Sequence, residues 1–210
     1  IGYGLTETAP LLAGGPWGDE TIAVGSTGKP IAGVEIRIDD PDPRSGIGEI
    51  VARGANVMKG YYKDPEATRR VLDNEGWFRT GDLGNFDRAG NLFIRGRSKN
   101  MILMSNGENI YPEAIEDKIN SCMHVAESLV RENGGLLEAL VYLDYDLVDE
   151  ETRGRSPQQK REHIDGLLLR LKEAINPQLS SFAKIARFVE HEEPFQKTAT
   201  SKIKRYLYTH

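Results

Sequence analysis

The sequence predicts an α+β protein in two parts: a small, mostly β unit over residues 1–96 and a mixed helix-and-strand unit over residues 97–210. Three observations carry this reading. Short alternating apolar runs between Gly, Pro and Asp clusters dominate the first part. Only one short helical pattern interrupts them, at "DPEATRRVLD". After Gly96 the texture changes to helices with long apolar stripes and to paired strands.

In chain order, "IGYGLTETAP" reads locally as a strand end that turns through Gly4. "VEIRI" (34–38), "GEIVARG" (48–54) and "NLFIRG" (91–96) alternate with period two and read as strands, separated by the turn clusters "DDPDPRSG" and "DRAG". The helix between them has Asp64 as its cap and Pro65 at the first helical position, where a missing N–H costs nothing. "NMILMSNGENI" predicts a hairpin, because Asn106-Gly107 tolerates positive φ in a tight turn. A helix follows from Pro112, with Ile115 and Ile119 on one face. "ESLVRE" and "LEALVYL" are strands flanking the "NGG" turn. The strongest helix starts at Ser156, with Pro157 next and Gln159 placed to complete a capping box. Its stripe of Ile164, Leu167, Leu168, Leu171 and Ile175 belongs in a core, and Asn176-Pro177 ends it. A last strand, "IARFVE", precedes a polar tail, "FQKTATSKIKRYLYTH".

A chain of 210 residues, 39% hydrophobic and 28% charged, can bury a real core. The net charge of -5 provides no general attraction to nucleic acid or to an anionic bilayer, so binding of phosphate groups has to be local. One cysteine, Cys122, excludes an internal disulfide and fits a reducing cytoplasm, and histidines at 124, 163, 191 and 210 have no metal-ligand spacing. No apolar run is long enough for a membrane span, which leaves only peripheral membrane contact open. The chain does not open on Met, and its first residues read as the interior of something longer.

Four stretches, in order, give the sequence its chemistry: "YGLTE" (3–7), "TGD" (80–82), "RGRSKNMILMSNGENIYPEAIE" (95–116) and "KTATSKIKR" (197–205). Together with "GEIVARGANVMKGYY" they resemble the C-terminal part of the adenylate-forming superfamily of acyl-CoA synthetases, firefly luciferase and peptide-synthetase adenylation domains. The wording of "MILMSNGENIYPEAIE" and "KIKRYLY" is most similar to bacterial long-chain fatty-acid–CoA ligases. The resemblance implies that residues 1–96 are the distorted, β-barrel-like end of a large AMP-binding domain, and that residues 97–210 are a small mobile domain carrying the hinge and the catalytic lysine. It also implies ATP/AMP, Mg2+ and CoA as ligands and a fatty acid as the other substrate, with no nucleic acid. The family's phosphate loop and most of its acyl pocket lie upstream of "YGLTE", so the fragment alone is expected to be inactive.

Carried over residue by residue, the resemblance implies that Tyr3 stacks on adenine, where a flat aromatic face suits a purine. Thr6 would meet the α-phosphate and Glu7 would ligate magnesium, a hard cation that takes carboxylate, phosphate and water oxygens. Asp82 would accept from both ribose hydroxyls and Arg97 would contact the ribose and phosphate region. Lys99 falls at the family's hinge, Gly107 beside the CoA channel, and Lys202 at the lysine that bridges carboxylate and α-phosphate. Each position also has a plainer reading. Tyr3 could be a core tyrosine, Asp82 a turn aspartate, Arg97 half of a surface ion pair, Lys99 a solvated loop residue and Gly107 a turn glycine. The basic cluster Lys197, Lys202, Lys204 and Arg205 could be a solvated tail. Two departures from the family are visible: Ser201 stands where Gly is usual, and Leu103 where a lysine is common. An amino-acid-activating domain and a non-catalytic AMP- or acyl-AMP-binding relative are the alternative functions.

Overall fold

In the first unit, backbone pairing turns the alternating runs into two antiparallel sheets. β1 (Gly2–Gly4), β2 (Leu11–Gly14) and β3 (Lys29–Pro30) form one, in that order. β4 (Val34–Asp39), β5 (Gly48–Gly54), β6 (Phe78–Phe86) and β7 (Leu92–Arg97) form the other, each strand beside its sequence neighbour. The computed structural model describes residues 2–16 and 18–209, and among these no closed ring of strands is seen. Tyr3, Leu12 and Ala13 of the first sheet pack with Ile50, Ala52 and Leu92 of the second in one core, beside the inward side chains Val34, Ile36 and Ile38. Period-two alternation puts those three on one face of β4, as their sequence spacing requires. α1 (Pro65–Val71) is capped as expected, with the Asp64 carboxylate accepting from the Ala67 N–H at 2.9 Å.

β6 is absent from the sequence reading. Its pattern is broken at Gly81, which has φ 71°, and the ladder shifts register on both sides, between Glu49 and Val51 and between Leu83 and Gly84. Because β7 runs on through Arg97 and a 3₁₀ turn, Ser98–Asn100, follows, the chain divides into Ile1–Lys99 and Asn100–His210. That division lies beyond the join expected at 96/97, and it leaves Arg97 and Lys99 in the first unit.

The second unit opens with the small hairpin of β8 (Ile102–Leu103) and β9 (Asn109–Ile110). α2 (Pro112–Asn120) follows, then β10 (Val125–Asn133) and β11 (Leu136–Leu143), an antiparallel pair joined through Gly134 and Gly135. α3 (Tyr145–Glu151), also unread in the sequence, is capped by Asp144 and buries only Val148. α4 (Pro157–Ile175) has the anticipated capping box between Ser156 and Gln159 and buries all five residues of its stripe. β12 (Arg187–Glu190) adds to the sheet parallel to β11, giving the order β10-β11-β12. Ile115, Ile119, Val130, Val141 and the α4 stripe share the main core of this unit.

Residues 194–208 do not form the free polar tail that their composition suggests. Phe195, 3% exposed, packs with Leu129 and Leu140, beside Ile203 and Tyr208. Leu129 and Leu140 alternate with the core residues Val130, Ala139 and Val141, so the C-terminal segment covers the opposite face of the sheet from α4.

Candidate functional site

Three of the expected site residues in the first unit meet at one carboxylate. The Tyr3 hydroxyl donates to Asp82 Oδ2 at 2.8 Å, and Arg97 Nε lies 3.0 Å from Asp82 Oδ1. β1 brings the tyrosine, and Asp82 and Arg97 are direct partners across β6 and β7. Asp82 is 6% exposed, whereas the Arg97 side chain keeps 37% of its surface. Burial, and after it the negative charge of Asp82, raises the Tyr3 hydroxyl above its usual range, so it stays a neutral donor. An ionised carboxylate has about four acceptor positions. The Tyr3 bond on one oxygen and the Arg97 ion pair on the other leave acceptor capacity on both, the arrangement a vicinal diol needs. The strand is held from behind by Thr80, whose hydroxyl donates to Ile50 O at 2.7 Å, and by Glu49, which accepts from the Gly81 N–H at 3.2 Å.

Thr6 and Glu7 lie in a 3₁₀ turn, Thr6–Thr8, directly after β1. Thr6 is exposed and Glu7 half-buried. Gly4 is required at the entry, because a Cβ there would stand 1.7 Å from Pro10 O. The turn is braced by residues to which the sequence reading assigned no role. The Thr8 hydroxyl accepts from Leu5 N at 2.9 Å, and Asn56 Nδ2 donates to the carbonyls of Thr8 and Leu11, both at 2.8 Å. Met58 N donates to Glu7 O at 2.8 Å, and the Tyr61 hydroxyl donates to Glu7 Oε1 at 3.0 Å. The signal for these was in the "GANVMKGYY" run itself, whose polar and aromatic residues follow a strand without continuing its alternation. Glu7 Oε2 has no partner among the described residues. One half-buried carboxylate with a free oxygen fits magnesium held by a single side chain together with phosphate and water oxygens.

Lys99 stands in the 3₁₀ turn after β7, at the end of the first unit. Gly107 has φ 79° in the turn between β8 and β9, where its N–H donates to Met104 O at 2.9 Å; a Cβ there would meet nothing within 4 Å. The turn conformation alone accounts for this glycine.

The second unit sorts the basic cluster into anchors and free cations. Lys197 pairs with Glu127, and Arg205 forms a two-pronged pair with Glu116 at 2.7 Å per arm. Among the described residues the side chains of Lys202 and Lys204 have no hydrogen-bond or ion-pair partner. Lys202 is exposed at a turn closed by Thr198, whose N–H donates to Lys202 O at 2.8 Å and whose hydroxyl accepts from Lys202 N at 3.2 Å. Ser201 has φ 59°, in the left-handed region that favours glycine, so the departure from Gly-Lys falls at a position where it matters.

The tyrosine–aspartate–arginine cluster, the braced Thr-Glu turn and the exposed lysine turn are set beside three comparisons with known proteins. Residues 1–62 match the family model described as AMP-binding enzyme. The chain is similar to the C-terminal part of adenylate-forming enzymes. It is 42% identical over 133 residues to the long-chain-fatty-acid–CoA ligase of Yersinia pestis, an overlap of 61% of this chain and 23% of that protein. It is 43% identical over 132 residues to the indoleacetate–CoA ligase of Aromatoleum aromaticum, covering 61% of this chain and 26% of that one. The fold is similar to O-succinylbenzoate coenzyme A synthetase from Bacillus subtilis in complex with AMP, with a TM-score of 0.75 at 28% identity, over 99% of this chain and 40% of that structure. The chain thus spans about a quarter of these curated relatives. No helix among the described residues is long and apolar enough to cross a membrane.

Proposed function

We propose that this chain provides the ribose-binding and lysine-bearing parts of an ATP-dependent, AMP-forming acyl-CoA ligase whose acid is a long-chain fatty acid. The observation that carries the reading is the convergence of Tyr3, Asp82 and Arg97, from three separate motifs, on one nearly buried carboxylate with acceptor capacity left over. On this reading residues 1–96 end the large AMP-binding domain and residues 97–210 form the mobile small domain, turning at Lys99. The protein works in the cytoplasm, and this chain alone does not complete the reaction.

In the first half-reaction a carboxylate oxygen of the acid attacks the α-phosphorus of ATP, the bond to the β-phosphate breaks, and pyrophosphate leaves. Asp82 holds the ribose diol, Arg97 fixes the carboxylate and reaches toward phosphate, and the ring of Tyr3 meets adenine. The Thr6 hydroxyl donates to an α-phosphate oxygen. Glu7 would hold magnesium, which supplies charge neutralisation at the phosphates. The Lys202 ammonium lies between two anions that otherwise repel, which lowers the cost of bringing them together. In the second half-reaction the CoA sulfur attacks the acyl carbonyl and AMP leaves; Gly107 lets the pantetheine chain pass. The resemblance of "MILMSNGENIYPEAIE" and "KIKRYLY" to long-chain ligases, and the Yersinia pestis match, support the choice of acid.

The test is acid-dependent exchange of labelled pyrophosphate into ATP by the protein containing this chain at its natural length, across fatty acids, aromatic acids and amino acids. Exchange that peaks with long-chain acids is expected. A peak with aromatic acids contradicts the choice of acid; a peak with an amino acid, or no exchange with any acid, contradicts the ligase reading.

A further inference from the structure

Arg205 is three positions beyond Lys202 and is anchored by three side-chain hydrogen bonds. Its Nη1 donates to Glu116 Oε2 and its Nη2 to Glu116 Oε1, both at 2.7 Å, and Nη2 also reaches Val130 O at 3.1 Å. Glu116 in turn accepts from the Val130 N–H at 2.6 Å. The two side chains retain 16% and 8% exposure, so this pair is largely out of water. A buried ion pair is weak evidence for stability, because apolar residues of the same volume often hold a fold as well. What a bidentate guanidinium–carboxylate pair adds is orientation and register.

The other limb of the same turn is held independently. Lys197 bridges to Ile203 and Lys204 N donates to Gln196 O at 2.8 Å, so the two limbs pair around Lys202. Phe195 plugs the apolar patch on the sheet. The Tyr208 hydroxyl accepts from Gln196 N at 2.9 Å, while Arg131 Nη1 donates to Tyr208 O at 2.7 Å. The apolar contacts fasten the segment to the sheet. The Arg205–Glu116 pair ties the outgoing limb to α2 by directional bonds three residues from Lys202, while the Arg131–Tyr208 bond holds the same limb to β10 further on.

We infer that Glu116 and Arg205 are positioning residues for Lys202: they fix the register of the outgoing limb so that the ammonium projects from a preset turn during adenylate formation. The inference rests on the proposed role of Lys202. It makes a demand that a purely structural pair does not, because the lysine serves the first half-reaction and not acyl transfer to the thiol.

The experiment uses the protein containing this chain at its natural length and measures the two half-reactions separately: adenylate formation from ATP and acid, and thioester formation from acyl-AMP supplied ready-made. Arg205→Lys and Glu116→Gln, two variants that keep a donor or an acceptor in place, are compared with Lys202→Ala. The expected result is adenylate formation slowed about tenfold to a hundredfold in both pair variants, with KM for ATP and the thioester step within about twofold of wild type. Amide exchange at Thr198, Ser201 and Lys202 should accelerate while β10 and β11 stay protected. An equal fall in both half-reactions, or no fall in either, overturns the positioning role. If Lys202→Ala itself leaves adenylate formation intact, the role of the lysine is overturned instead, and the positioning inference with it.

Discussion

The Asp82 cluster of the first unit has its polar side chains paired with one another, whereas the ammonium of Lys202 in the second has no partner among the described residues. At Asp82, the Tyr3 hydroxyl from β1 donates a hydrogen bond to the carboxylate and Arg97 forms an ion pair with it from the neighbouring strand β7. Around Lys202, the Thr198 hydroxyl and backbone hold the turn, while the ammonium itself has no partner among the described residues. On the proposed function, the contrast follows from what each would do. A group that only has to recognise a ribose gains from a rigid, preorganised cradle. A cation that neutralises charge as it develops is more effective if no carboxylate of its own protein already neutralises it. The stability and the chemistry of the two regions should therefore respond to mutation in opposite ways.

The largest expected effect is on chemistry with almost none on folding. Lys202→Ala should slow adenylate formation about a hundredfold to a thousandfold and change unfolding free energy by less than about 0.5 kcal/mol, read by single-turnover kinetics and urea titration. Asp82→Ala should show the reverse balance. It leaves the buried Tyr3 hydroxyl without an acceptor and Arg97 unpaired, and should cost about 2 kcal/mol of stability, a figure discounted for the partly exposed guanidinium. ATP binding by calorimetry should weaken in parallel. Equal stability losses in the two variants would erase the contrast between the regions.

A pH dependence sharpens the comparison from the second unit. Burial pushes the Glu138 carboxyl up, but the bond from Arg131, with the Asn133 bond and the Arg187 charge, more than offsets this and holds it below the usual carboxylate range. A depressed carboxylate contributes stability that is present above its unfolded pKa and lost as pH falls through its folded value. Glu138→Gln should therefore be less stable than wild type at neutral pH, and the difference should shrink as the pH drops through the acidic range, measured by denaturant unfolding at several pH values. The smallest expected effect is at the lysine turn. Ser201→Gly should relieve the left-handed backbone and stabilise the second unit by about 0.5–1 kcal/mol, detectable as a rise in thermal midpoint.

What was legible in the sequence was local. Asp64 with Pro65, Ser156 with Gln159, and the stripe from Ile164 to Ile175 act within a turn or two of helix, and the structure places each as anticipated. β6 was missed because Thr80-Gly81-Asp82 breaks the alternation that marks a strand, and the ladder absorbs the break with register shifts. α3 was missed because a seven-residue helix with one buried side chain has no periodicity to read. The docking of Phe195 and Arg205 depends on Leu129, Leu140 and Glu116, far away in the chain, so no local pattern could announce it. The candidate site divides the same way. Its candidate residues were singled out by resemblance to a family, whereas Asn56, Tyr61 and Glu116 lie in the same motif stretches but show their bonds only in the fold.

The most direct test of the central contrast is to measure ATP binding and acyl-AMP formation side by side in wild type, Lys202→Ala and Asp82→Ala, using the protein that contains this chain at its natural length. The account predicts that Lys202→Ala binds ATP as wild type does but forms almost no acyl-AMP, and that Asp82→Ala loses ATP binding. Normal ATP binding by Asp82→Ala, or undiminished acyl-AMP formation by Lys202→Ala, would contradict it.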